Sequence, residues 1–96
     1  MNTPLFVVLF DVESVGRQVI REVIGGTADT LYLPDVEATA RAEVLRRATV
    51  ILAQNTAKEL TPDELALIRQ VRLLQFYTAG VDFAQFIAVC RNVKTS

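Results

Sequence analysis

Thr78-Ala79-Gly80-Val81-Asp82 is the segment best able to do chemistry. It follows the apolar run Leu73-Leu74-Gln75-Phe76-Tyr77, and its small residues let a ligand come close to the backbone. The N–H groups of Ala79, Gly80 and Val81 could then face an anion, helped by a helical turn that starts after them. The same residues would also serve as a plain strand-to-helix turn that needs one glycine. Other candidate positions are Asp11, Pro34-Asp35, Gln54-Asn55-Thr56 and Arg91-Asn92, each at the end of an apolar run. Gln54 and Asn55 suit either a substrate pocket or a solvent-facing loop.

Several kinds of chemistry are excluded by count. The 96 residues contain no histidine, which removes imidazole acid–base catalysis and the commonest zinc ligand. There are four glycines, at positions 16, 25, 26 and 80, and they cannot form G-x-G-x-x-G or a P-loop. The one cysteine, Cys90, allows no intrachain disulfide and no cysteine metal cluster, and it suits a reducing cytoplasm. It reads as a small apolar core residue. Ten Lys+Arg against eleven Asp+Glu give a net charge of -1. That balance provides no footprint for nucleic acid or for an anionic membrane. No apolar run approaches the roughly 18 residues of a membrane helix. Residues 5–10 are too short for a signal peptide and have no basic patch before them. A cytoplasmic location is expected.

The elements that must position these residues alternate in period. Leu5-Phe6-Val7-Val8-Leu9-Phe10 is continuously apolar and rich in strand formers, as expected of a strand covered on both faces. Asp11 is placed to cap a helix whose stripe is Val12, Val15, Val19 and Val23, with Gly16 and Ile20 beside it. Glu13 and Arg17 are spaced to pair on its outer face, and Gly25-Gly26 ends it. Residues 30–33 are expected as a second strand. Asp35 would cap a helix with an apolar face of Val36, Ala40, Val44, Leu45 and Ala48. Its pairs would be Glu37 with Arg41 and Glu43 with Arg47.

Residues 49–53 form the third expected strand, and residues 54–59 a polar connection. Thr61-Pro62-Asp63-Glu64 is a capping box with proline at the first helical position. Leu60 and Leu65 are placed for a hydrophobic staple, and Leu65 and Ile68 are expected to face inward. Residues 72–77 form a fourth strand, residues 83–86 one helical turn, residues 87–90 a fifth strand and residues 91–96 a polar tail. Such alternation predicts one α/β domain over residues 1–96. Its expected form is a flavodoxin-like five-stranded parallel sheet of order 2-1-3-4-5, with helices on both faces.

The second half carries a further pattern. The strand Val50-Ile51-Leu52, the helix start Leu60-Thr61-Pro62-Asp63-Glu64-Leu65, the strand from Leu73 to Tyr77 and the turn Thr78-Ala79-Gly80-Val81-Asp82 follow one another in order. This series resembles the substrate-binding domain of the D-2-hydroxyacid dehydrogenases. That family includes phosphoglycerate, glyoxylate, D-lactate and formate dehydrogenases. Ile87-Ala88-Val89-Cys90-Arg91-Asn92 looks like the family's next strand. The match covers about residues 50–92, and the first 49 residues fit the topology without a diagnostic motif.

The resemblance implies that backbone amides of Ala79 and Gly80, with Val81 adjacent, hold a substrate carboxylate. It implies a place for Asn55 beside the substrate. Asp82 is expected to be structural, because an acid there would repel the carboxylate. The family's dinucleotide motif and its catalytic Arg, Glu and His lie further downstream and have no counterpart in these residues. NAD(P) is therefore implied for an intact family member, and this chain is expected to hold no cofactor and to be inactive alone. It is expected to bind a small carboxylate weakly and to form a homodimer through uncovered apolar surface. The alternative is a degenerate receiver-like signalling or self-association domain of the same strand order. Asp11, Thr78 and Lys94 fall near receiver positions, but the third strand ends in Gln54-Asn55, where a receiver needs a phosphorylatable carboxylate.

Overall fold

The computed structural model describes residues 4–77 together with Ala88, Cys90 and Arg91. Its centre is a parallel sheet of β1 (Leu5–Val8), β2 (Asp29–Tyr32), β3 (Val50–Ala53) and β4 (Leu73–Phe76), in the order β2-β1-β3-β4. All three pairings are parallel, with Phe6 opposite both Thr30 and Val50, and Ile51 opposite Leu74. This is an α/β fold in the expected strand order.

β1 and β3 occupy the middle and are buried along their whole length, which is why both read as unbroken apolar runs. Alternate side chains feed two core layers. Leu5, Val7, Ile51 and Ala53 pack with Leu33, Leu45 and Ile68 on one face. Phe6, Val8, Val50 and Leu52 pack with Val19, Ile20, Ile24 and Cys90 on the other. Full burial of Ile20 or Ile24 stabilises the fold by about 1.5–3 kcal/mol each.

Around the sheet lie α1 (Ser14–Val23), α2 (Arg41–Arg47), α3 (Thr56–Glu59) and α4 (Pro62–Leu67). The α4 start is the expected capping box. The Thr61 hydroxyl accepts the Glu64 N–H at 3.2 Å, and the Glu64 carboxylate accepts the Thr61 N–H at 2.9 Å.

Several expectations are corrected. No fifth strand exists among the described residues, because Ala88, Cys90 and Arg91 are helical. The burial pattern gives the reason. Ala88 is exposed and Cys90 fully buried, yet residues two apart in a strand share one face. A helical turn places them on opposite sides, so Cys90 packs down on the layer beneath α1.

The α1 stripe is also displaced. The helix starts at Ser14, so Val12 precedes it, and Val19, Ile20 and Ile24 bury its inner face. Val15 stays 60% exposed, because the first turn overhangs the strand ends. Asp11 does not cap α1; the N-cap is Glu13, without a side-chain bond. β2 begins one residue early. Leu33 opens a 3-10 turn, Leu33–Asp35, so Asp35 caps no helix. A second 3-10 turn, Ala38–Ala40, delays α2 until Arg41. Leu65 is 39% exposed and makes no inward staple, whereas Leu60 and Ile68 are buried. The short α4 ends at Leu67, and this turns Ile68 to the core instead.

Candidate functional site

An open cleft of about 370 Å³ lies where β1, β3 and β4 end. Residues 10–13 form one wall, leading from β1 toward α1. Val15 and Gly16 of the first α1 turn form the roof, and Gln54 after β3 and Tyr77 after β4 close the far side. In the order β2-β1-β3-β4 the chain turns one way from β1 to β2 and the other way to reach β3. The cleft therefore sits at the reversal point beyond the carboxyl ends of the strands, where open parallel sheets bind ligands.

Two aromatic rings frame it. Phe10 and Tyr77 stack with centroids 6.1 Å apart and planes 22° from parallel. The rings reach across the end of β3, since β1 and β4 are not neighbours. Tyr77 is held at the strand end by its N–H, which donates to the Ala53 carbonyl at 2.8 Å.

The wall at residues 11–12 is fixed by Arg17. Its Nε donates to the Val12 carbonyl at 2.8 Å, and its two terminal nitrogens reach Asp11 at 3.2 Å and Asp35 at 2.9 Å. The guanidinium also lies 4.1 Å from the centre of the Tyr32 ring. The hydrogen bond that Arg17 donates to Asp35 is the main influence holding the Arg17 pKa above its ordinary range. Burial pushes the Tyr32 hydroxyl up, against the opposing effect of Arg17. Arg17 thus joins the ends of β1 and β2, in place of the expected pair with Glu13. A second concavity of about 420 Å³ lies between α1 and β2, where Arg17 and Arg21 face Asp29. With Arg17 already shared by two carboxylates, that groove has no excess of positive charge.

The expected site residues fall as follows. Ala79, Gly80 and Val81 lie outside the described residues, as do Thr78 and Asp82. β4 and Tyr77 lead directly into them from the cleft edge. Asn55 is described, and its side chain caps α3 by accepting the Ala57 N–H at 3.1 Å. Its own N–H donates to Glu59 Oε1 at 3.0 Å. Gln54, its neighbour, is the one that lines the cleft. The Phe10 ring was not among the expected site residues. Its apolar character only continued the strand, and its position beside Tyr77 depends on the sheet order.

A dinucleotide does not fit the β1–α1 connection. Residues 9–13 contain no glycine and carry Asp11 and Glu13, which would repel a pyrophosphate. Burial pushes the Cys90 thiol up to about 11, so it is protonated at neutral pH and is no nucleophile there. No group of acids or cysteines among the described residues is arranged to hold a metal. No helix among them is long and apolar enough to cross a membrane. No family model matches the chain, and no curated protein matches it in sequence.

Proposed function

We propose that this chain carries part of the substrate-binding domain of a D-2-hydroxyacid dehydrogenase. In this reading the carboxylate of a small 2-hydroxy or 2-oxo acid rests on the backbone amides of Ala79, Gly80 and Val81. The rest of the acid points into the cleft beside Phe10 and Tyr77. The observation that carries the reading is the open cleft beyond the ends of β1, β3 and β4, at whose edge stands Tyr77, the residue before the segment Thr78-Ala79-Gly80-Val81-Asp82 in the sequence. The order β3, capped α4, β4 agrees with the order in which the resembling motifs occur. A carboxylate needs donors, and backbone N–H groups provide them without a mobile side chain.

The chain acts here by binding and orientation alone. Hydride transfer needs a dinucleotide site and a proton acceptor, and these 96 residues contain neither a glycine-rich dinucleotide loop nor a histidine. When bound in an intact family member, NAD(P) supplies the hydride chemistry. The share of this chain is to hold the carboxylate and to wall the acid in between rings and α1.

The test is a titration with glyoxylate followed by backbone amide NMR. Shifts concentrated at Ala79, Gly80 and Val81 support the assignment. Shifts centred on Asp11 and Asn55 that require magnesium would instead favour the receiver-like reading.

A further inference from the structure

β2 ends the sheet on one side, and its outer edge is open. The Asp29 N–H donates to the Pro4 carbonyl at 2.9 Å, and Asp29 and Leu31 stand opposite Leu5 and Val7. In a parallel ladder alternate residues bond to the same neighbour. Asp29 and Leu31 therefore turn their backbone groups to β1, and Thr30 and Tyr32 turn theirs outward. The outward N–H and carbonyl groups have no hydrogen-bond partner among the described residues. The usual guards of an exposed edge are missing: the strand contains no lysine and no proline, and it pairs with β1 without a bulge. Leu31 is 36% exposed and belongs to neither core layer. On the other face the concavity lined by Thr30 and Tyr32 leaves this edge uncovered by α1.

We infer that β2 pairs antiparallel with β2 of a second copy, about a two-fold axis through Leu31, so that the two sheets become one. The outward groups fix this register. Thr30 lies opposite Tyr32 of the second copy, and Tyr32 opposite its Thr30, and each such pair exchanges both N–H···O bonds. Leu31 then meets its counterpart on the axis as the close, non-hydrogen-bonded pair, and its exposed side chain gains apolar contact. The same patch serves on both copies, as a two-fold interface requires. Charge selects the direction. Asp29 is the only charged residue of the strand. Antiparallel pairing sets the two Asp29 residues about 13 Å apart along the edge, at about 3.3 Å per residue. That exceeds the Debye length in physiological salt, whereas parallel pairing would put the two carboxylates side by side. A four-residue edge gives a small interface, so the dimer dissociates on dilution.

The test is sedimentation of the whole 96-residue chain over a wide concentration range, with NMR on a mixture of isotope-labelled and unlabelled chain at the highest concentration. The expected result is a monomer–dimer equilibrium, contacts between the Leu31 methyl groups of the two copies, and slower amide exchange at Thr30 and Tyr32 as concentration rises. Leu31→Lys sets two like charges on the axis and should weaken association by about tenfold or more. Leu31 lies outside both core layers, so the fold should survive the change. The wild-type contacts between copies stand as the test by themselves if it does not. Phe76→Lys, on the opposite outer strand where Phe76 is 49% exposed, should leave association unchanged. A monomer at every concentration would overturn the inference. So would a dimer that a folded Leu31→Lys variant retains, one that Phe76→Lys dissolves, or contacts between copies located away from β2.

Discussion

Phe10 and Tyr77 stack at 6.1 Å although the strands that deliver them are separated by β3. The contact ties the ends of β1 and β4 together above a strand that stops short of it. Both rings also line the cleft beyond the strand ends. A double-mutant cycle with Phe10→Leu and Tyr77→Leu should give a coupling of about 0.5–1.5 kcal/mol in urea unfolding. Tyr77→Phe should keep most of it. A coupling near zero would mean that the two rings are independent.

Arg41 and Glu64 form the second long-range tie. Arg41 Nε donates to Glu64 Oε2 at 2.8 Å, and a terminal nitrogen donates to Oε1 at 3.2 Å. The same carboxylate closes the α4 capping box. Glu64→Ala removes both and should cost about 1–2 kcal/mol of stability, while Glu64→Gln keeps the cap acceptor and should cost roughly half of that. The hydrogen bond from Arg41 is the main cause holding the Glu64 carboxyl below its ordinary 4.5. A depressed carboxyl stabilises the fold above that ordinary value, and the contribution is lost as pH falls through the depressed one. Wild-type stability should therefore fall more steeply than that of Glu64→Gln below pH 4.5 in acid titrations.

Cys90 titrates in the opposite sense. Its thiol is raised from 9.0 to about 11 by burial, so the folded chain keeps its proton where the unfolded chain loses it. The contribution is intact below 9.0 and is lost as pH rises toward 11. Cys90→Ala should flatten the stability profile over that window. In the wild type, thiol labelling at neutral pH should be slow and should accelerate in denaturant. Rapid labelling of the native chain would contradict the burial of Cys90.

Purified chain mixed with NAD(P) and 2-hydroxy acids should show no turnover, because these residues contain neither a glycine-rich dinucleotide loop nor a histidine. Acetyl phosphate with magnesium should leave it unlabelled, since β3 leads into Gln54 and Asn55 rather than a carboxylate. Magnesium-dependent labelling would support the receiver-like alternative.

How much of this was legible in the sequence depends on what each element needs. β1 and β3 were legible because burial on both faces leaves an unbroken apolar run. The α4 start was legible because Thr61, Pro62 and Glu64 act within one turn. The face of α1 was not, because its valines point inward or outward according to where the helix begins, and the chain delays that to Ser14. Residues 87–90 read as a strand because they are a short apolar run, and the opposite exposure of Ala88 and Cys90 decides for helix at the described positions. The end of β3 pointed to Gln54. Phe10 and the Arg17 contacts with Asp11 and Asp35 depend on the order of strands across the sheet, which local spacing does not encode.

An amide NMR titration of wild type and Gly80→Val with glyoxylate tests whether the backbone amides after β4 hold a carboxylate. A site of two or three backbone donors should saturate at about the millimolar level. Wild-type shifts are expected at Ala79, Gly80 and Val81, with their loss in Gly80→Val and the remaining spectrum preserved, because the branched side chain would crowd the anion. Undiminished glyoxylate shifts in a folded Gly80→Val variant, or wild-type shifts located elsewhere in the chain, would contradict it.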